Sequence, residues 1–414
     1  MEKSIIVGFY LSKTKKIDVE RSLDELSRLA ETAGAKAEIK IVQKRSCVDP
    51  AYLIGFGKAC EIRDIVHEQN IKTVIFDDEL KPSQQRNLEE LIEAKIVDRT
   101  RLILDIFAKR ARSREGILQV ERAQLEYYLT RLSKKGTMLD SQTGGIGTRG
   151  PGERKLETDQ RRIRDRISYL EKQLNKIKSH HNLLRRQRLD SESALIAIVG
   201  YTNVGKSSIL NTLTKTNRIY ADDKLFATLD PTTRKIKLAG GRTVLFTDTV
   251  GFIDKLPHAL VSAFSSTLEE TRQATCLLHV IDASHPEHKK QIKNVVTVLK
   301  SLGADKIPII YVYNKCDLLS EREKDKLLKH GHLLISAKTT EGIDILLDRI
   351  EKIVNPELYS HKLILSYKNS KYVQQIFKMA VIKNQKYTAR GISIRLESTD
   401  KHWKQIQKLL EAKA

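Results

Sequence analysis

The sequence predicts an α/β fold: a mostly parallel sheet with flanking helices over residues 191–356. A smaller α/β domain with a long helical hairpin precedes it, and a small α+β region over 357–414 follows. Three observations carry this reading. Strand, loop and helix alternate strictly from residue 194 to about 356, the pattern of a parallel sheet covered by its crossovers. The same rhythm runs more loosely through residues 1–100. Between the two, from 101 to 190, apolar residues recur at helical spacing with no strand signal. A chain of 414 residues is long enough for two to four such units.

In the first segment, Ile5–Leu11, Ala37–Val42 and Thr73–Phe76 read as strands. Glu20–Ala33, Lys58–Gln69 and Ser83–Ala94 read as helices. Gly55-Phe56-Gly57 opens a helix but lacks the third glycine of a dinucleotide fingerprint, so it reads as a tight turn.

The second segment is basic. From Arg101 to Arg188, 22 Lys/Arg stand against 10 Asp/Glu, a net +12 of the chain's +22. Such a field attracts polyanions, nucleic acid before acidic membrane; the plainer reading is a solvated helical surface. Leu118, Leu125, Leu129 and Leu132, and then Ile163, Ile167, Leu170, Leu174 and Ile177, form two seams at heptad-like spacing. They predict two long helices packed as an antiparallel hairpin. Residues 141–152 (SQTGGIGTRGPG) hold five glycines, which predicts a loop. It is longer than the 2–8 residues that usually join two helices. With Arg149 inside it and Arg154 and Lys155 just beyond, this loop is expected to meet nucleic-acid phosphates.

In the third segment the apolar strand Leu195–Val199 runs into Gly200-Tyr201-Thr202-Asn203-Val204-Gly205-Lys206-Ser207, which satisfies GxxxxGK[ST]. Its backbone amides would cradle a β-phosphate, Lys206 would neutralise β/γ oxygens, and the Ser207 hydroxyl would ligate Mg²⁺. Asp248-Thr249-Val250-Gly251 follows a second strand. Asp248 would hold the metal through water, and the Gly251 amide would face the γ-phosphate. Asn314-Lys315-Cys316-Asp317 follows a third strand, where the Asp317 carboxylate matches N1–H and the 2-amino group of guanine but not adenine. Ser336-Ala337-Lys338 after a fourth strand would place an amide near the guanine O6. Each motif alone could be a surface turn; four in this order at strand ends imply a guanine-nucleotide site. Phe226-Ala227-Thr228-Leu229-Asp230-Pro231-Thr232-Thr233 lies where a phosphate-sensing loop belongs, and its three threonines all compete for the metal.

With these residues in place, the chain resembles the HflX-type GTPases of the translation-factor-related class. The resemblance extends to Gly55–Lys58, Asp78–Gln84 (DELKPSQ), Asp98–Arg112 (DRTRLILDIFAKRAR) and Gly144–Thr158 (GGIGTRGPGERKLET), and on through FATLDPTTR and DTVGF. It implies GTP hydrolysis with Mg²⁺, binding to the large ribosomal subunit and its RNA, and ribosome splitting or rescue under stress. It favours Thr228 as the threonine ligand, beside Ser207. It also implies that Asn203 helps place a potassium ion. Phe252 stands where many GTPases carry a water-orienting glutamine; an apolar ring cannot take that part, so hydrolysis should need outside help.

Two other classes compete with that reading: a GTP-gated RNA-binding assembly or remodelling factor, and a membrane-surface protein. No apolar run reaches the ~20 residues of a membrane span, and no amphipathic anchor or lipidation motif favours the last. The N-terminal MEKSIIVGFYL lacks a signal-peptide pattern. Cys47, Cys60, Cys276 and Cys316 form no metal or CxxC spacing and read as mostly buried, reduced thiols, with a regulatory thiol as the alternative. A cytoplasmic monomer is the expectation.

Overall fold

The computed structural model describes residues 1–12, 15–132, 151–190, 194–214, 225–226, 228–238, 243–255, 271–354, 359–367, 372–388, 391–398 and 400–411. They divide into two units, one of residues 1–237 with 241–343, the other of 238–240 with 344–414.

The first unit opens with β1 (Glu2–Leu11), α1 (Lys16–Ala33), β2 (Ala35–Arg45), α2 (Phe56–Gln69), β3 (Thr73–Phe76), α3 (Pro82–Ile92) and β4 (Lys95–Asp98). The strands form one parallel sheet in the order β2-β1-β3-β4. Ile5, Val7, Val74, Phe76 and Ile96 fill its core against Ile62 and Leu88 of the helices. The four-residue β4 has no counterpart in the sequence reading, because KIVD is too short to show a period.

Helices α4 (Arg99–Arg110) and α5 (Arg114–Leu132) follow, and α6 runs from Pro151 to Asp190. Asp98 ties them together: it is 1% exposed and caps α4 by accepting from the Arg101 amide at 2.9 Å. It also accepts from the Tyr127 hydroxyl at 2.9 Å and from Arg131 at 2.8 Å, both on α5. The residues of α5 that are fully buried are Gly116, Gln119, Val120, Ala123 and Tyr127. The leucine seam read from the sequence is only half-buried, because α5 packs on both α4 and α6 and so has two inner faces. On α6, Leu170 is fully buried and its seam neighbours half-buried. Arg166 joins the two helices through Glu121 at 2.7 Å. Most of the glycine-rich loop lies outside the described residues. Its last two residues, Pro151 and Gly152, belong to the first turn of α6, where proline's fixed φ suits a helix start.

The larger sheet has the order β10-β9-β8-β5-β7-β6. Its strands are β5 (Ala194–Gly200), β6 (Thr232–Lys237), β7 (Thr243–Asp248), β8 (Cys276–Asp282), β9 (Ile309–Asn314) and β10 (Leu333–Leu334). All pairs are parallel except β6–β7. Helices α7 (Lys206–Thr214), α8 (His288–Ser301) and α9 (Glu321–Lys329) flank it. The carboxyl ends of β5, β7, β9 and β10 lead into the four motifs.

The second unit holds most of α10 (Ile343–Val354), then β11 (Tyr359–Leu365), α11 (Val373–Met379), β12 (Val381–Thr388), β13 (Gly391–Ser398) and α12 (Asp400–Glu411). Its antiparallel sheet runs β11-β13-β12 over a core of Leu365, Ile376, Ile394, Leu396 and Ile406. Strand β12, VIKNQKYT, has no clear alternation in its sequence. Among the described residues no helix is long and apolar enough to cross a membrane. Cys276 and Cys316 are buried, Cys60 is half-buried and Cys47 is exposed, so burial of the thiols is less general than expected.

Candidate nucleotide-binding site

The P-loop turns from β5 into α7 through two unusual backbone positions, Asn203 at φ 59° and Gly205 at φ 92°. At Gly205 a Cβ would lie 2.4 Å from Asn314 Nδ2, so glycine lets the Asn314 amide pack against the loop. Asn314 donates to the Val204 carbonyl at 2.8 Å and accepts from the Ala337 amide at 3.0 Å. It thus fastens the phosphate loop to the Ser336–Lys338 loop. Asp317 receives the Ser336 hydroxyl at 2.7 Å on Oδ1, and Lys315 reaches Asp282 at 2.7 Å.

A cavity of about 640 Å³ runs along these loops, lined by Thr202, Asn203, Gly205, Lys206, Ser207, Phe226, Thr228, Gly251, Asn314, Lys315, Asp317, Ser336, Ala337 and Lys338. These come from five separated segments of the sequence, and the fold brings them to one cavity. Ser208 and Leu318 also line it; each sits beside a motif, with no chemistry of its own to single it out. Gly200, Val204, Leu229, Thr249 and Val250 are buried and do not line it; the Thr249 hydroxyl donates to the Ile198 carbonyl at 2.6 Å. Cys316 is buried under the base-side loop, its thiol pushed up to about 11 by burial and by Glu341. Ala227 lies outside the described residues.

Lys206 and Asp248 are buried at the floor. Lys206 Nζ donates to the Tyr201 carbonyl at 2.8 Å. Burial pushes its ammonium down to about 8, against partial support from Asp248. Burial likewise raises the Asp248 carboxyl, opposed by Lys206, Ser207 and Thr228. The Ser207 hydroxyl donates to Asp248 Oδ2 at 2.5 Å, Thr228 donates to the same oxygen at 3.0 Å, and the two hydroxyls lie 2.8 Å apart. Asp248 Oδ1 is buried with no hydrogen-bond partner among the described residues. Two hydroxyls and a carboxylate with a spare buried oxygen form a hard-oxygen donor set, and it fits a Mg²⁺ that completes its shell with phosphate and water. The other two threonines are elsewhere: Thr232 pairs with Asp248 along the β6–β7 ladder, and Thr233 meets the Thr247 hydroxyl at 2.8 Å.

Two residues of the predicted site point away from the cavity, into the N-terminal domain. The Tyr201 hydroxyl donates to Glu25 at 2.6 Å. Arg99, 2% exposed, pairs with Glu25 and with Asp77 at 2.7 Å, and donates to the Asp254 carbonyl at 3.0 Å. Lys255 reaches Asp77 at 2.5 Å and Asp78 at 2.8 Å. Burial works to raise the Asp77 carboxyl, but Arg99 and Lys255 outweigh it and hold it below its ordinary value. The second inward residue, Asp230, reaches the start of α5. Phe252 does not line the cavity: it is 4% exposed, and its backbone pairs with Gly200 and Thr202.

A mostly parallel α/β sheet with a phosphate loop, a DxxG loop and an NKxD loop around one cavity defines a P-loop GTPase. Residues 195–315 match a family described as 50S ribosome-binding GTPase, residues 20–108 one described as GTP-binding GTPase N-terminal, and residues 110–188 one described as GTP-binding GTPase Middle Region. GTPase HflX of Caldanaerobacter subterraneus subsp. tengcongensis is 46% identical over 401 residues, covering 96% of this chain and 91% of that protein. GTPase HflX of Escherichia coli is 41% identical over 413 residues, covering 98% and 96%. A GTP-binding protein from Sulfolobus solfataricus, solved with GDP, is 25% identical, covers 86% of this chain and 99% of its own, and has a TM-score of 0.44. The chain belongs to the HflX family of GTPases.

Proposed function

We propose that this GTPase binds the large ribosomal subunit and its RNA, and couples GTP binding and hydrolysis to ribosome splitting or rescue under stress. The observation that carries the reading is a guanine-nucleotide cavity built on the same unit as a basic hairpin, with the cavity's own loops bonded to that hairpin's base. The family description of residues 195–315 agrees with it.

In this reading Lys206 neutralises β/γ oxygens, Ser207 and Thr228 ligate Mg²⁺, Asp248 holds it through water, and the Gly251 amide faces the γ-phosphate. The metal, when bound, neutralises charge between the β and γ oxygens. The cations among the described lining residues are Lys206, Lys315 and Lys338, with no arginine. A potassium ion placed by Asn203 adds further positive charge for the transition state. Arg154 and Lys155 lie near the start of α6, and Arg149 lies outside the described residues; these three contact RNA phosphates. The protein acts as a cytoplasmic monomer. Steady-state GTP hydrolysis with purified large subunits tests the proposal: the subunit should accelerate turnover several-fold, and an unchanged rate would remove it as the partner.

A further inference from the structure

Asp230 lies two residues beyond Thr228, yet its carboxylate does not face the nucleotide cavity. Its Oδ2 accepts the backbone amides of Arg112 at 2.9 Å and Ser113 at 2.8 Å, and its Oδ1 receives the Ser113 hydroxyl. Ser113 is the residue before α5, and its hydroxyl in turn accepts the Gly116 amide at 2.9 Å. The Ser113 hydroxyl therefore caps α5, and a carboxylate from the phosphate-sensing loop of the nucleotide domain holds the Arg112–Ser113 turn that carries this cap. A negative charge at that end also suits the helix dipole.

Two further observations show that the contact is built in. A Cβ at Gly116 would lie 2.3 Å from Asp230 Oδ1, so a glycine in the first turn of α5, costly to the helix itself, leaves room for the carboxylate. On the other side of Thr228, Phe226 is buried and packs edge-on against Phe107 of α4, with ring centroids 4.7 Å apart. Thr228 is thus held between two anchors on the N-terminal domain, and it meets Ser207 and Asp248 at 2.8 and 3.0 Å. The far end of α5 is fixed by Asp98 through Tyr127 and Arg131. Two residues of chain span at most ~7 Å, so the start of α5 and the Thr228 hydroxyl cannot move independently.

We propose that Asp230 is a positioning residue: by bonding the Arg112–Ser113 turn that caps α5 it holds Thr228 in the metal-ligating place, so that the root of the basic hairpin sets the magnesium requirement of the GTP state. This rests on the reading of Thr228 as a Mg²⁺ ligand and adds that its placement comes from the N-terminal domain as well as from the γ-phosphate.

The test is the Mg²⁺ concentration that half-saturates binding of a non-hydrolysable GTP analogue, and separately of GDP, to the full-length protein. Thr228→Ala should raise the requirement for the analogue and leave that for GDP unchanged. Asp230→Ala should raise the same requirement on the order of fivefold or more, the low end of usual coupling between sites. Gly116→Ala should act alike, although alanine favours the helix, because its methyl displaces the carboxylate. On the Thr228→Ala background neither substitution should add anything. A merely structural role would move both nucleotides together and would persist in the double variants. If Thr228→Ala shifts the requirement while Asp230→Ala and Gly116→Ala do not, the positioning proposal is wrong and the ligand assignment stands. If Thr228→Ala shifts nothing, both fall.

Discussion

The hydroxyl of Tyr201, in the phosphate loop, accepts the backbone amide of Asp254 at 2.5 Å and donates to Glu25 of the N-terminal domain at 2.6 Å. One side chain thus joins the P-loop, the segment after DxxG and α1. Arg99 closes the ring by holding Glu25 and the Asp254 carbonyl. Tyr201→Phe leaves a half-buried carboxylate and amide short of a partner, which costs about 1 kcal/mol. Arg99→Ala uncovers two acidic groups and costs about 3–5 kcal/mol. Both should appear as lower denaturant midpoints with unchanged slope. Parental midpoints would mean that the contacts carry no stability.

How far the site was legible in the sequence depended on the range of each interaction. The proposed phosphate and base contacts are local: Gly200–Ser207 and Asn314–Asp317 are each a short run, so the chemistry proposed for them can be read from the run itself. The choice among Thr228, Thr232 and Thr233 was not legible from the motif, because it depends on where β6 begins. The ladder places Thr232 opposite Asp248 and leaves Thr228 free to reach Ser207. Tyr201 and Asp230 read as nucleotide residues by position, yet their side chains serve partners 176 and 117 residues away. No periodicity records such pairs. The seam of α5 failed for a related reason: a helix with two packed faces has no single apolar stripe.

The buried Lys206 predicts a pH dependence of binding. Its ammonium titrates near 8 in the free protein, and a bound triphosphate must raise that value by supplying negative charge. The group's pKa is therefore higher in the complex, so affinity is full below pH 8 and falls as pH rises through it. Between pH 7 and pH 9 GTP affinity should drop about tenfold, with proton uptake visible by calorimetry in buffers of different ionisation heat. Flat affinity across that range, or no proton uptake at pH 8.5, would contradict the assignment.

In the proposed function base choice rests on Asp317, whose Oδ1 accepts the Ser336 hydroxyl. Asp317→Asn turns one acceptor into a donor, which mismatches guanine and matches xanthine. GTP binding should weaken by ~1.5–3 kcal/mol, and xanthosine triphosphate should gain in the same titration. Undiminished GTP affinity would place the base elsewhere.

The monovalent cation is tested by exchanging salts. Hydrolysis should run faster in potassium chloride than in sodium chloride at equal ionic strength, and Asn203→Ala should abolish the difference. Equal rates for the parent protein in both salts would exclude a potassium ion placed by Asn203.

The central claim is that GTP state governs engagement of the large ribosomal subunit through the basic hairpin. Its most direct test is co-sedimentation of the full-length protein with purified large and small subunits, in GDP or a non-hydrolysable GTP analogue, over a salt series. The protein should pellet with the large subunit in the analogue and much less in GDP. In a variant with Arg149, Arg154 and Lys155 changed to alanine, binding should weaken and its logarithmic salt slope should fall by about 1 for each phosphate no longer neutralised. Equal pelleting in both nucleotides, equal pelleting with both subunits, or an unchanged salt slope in the variant would contradict the claim.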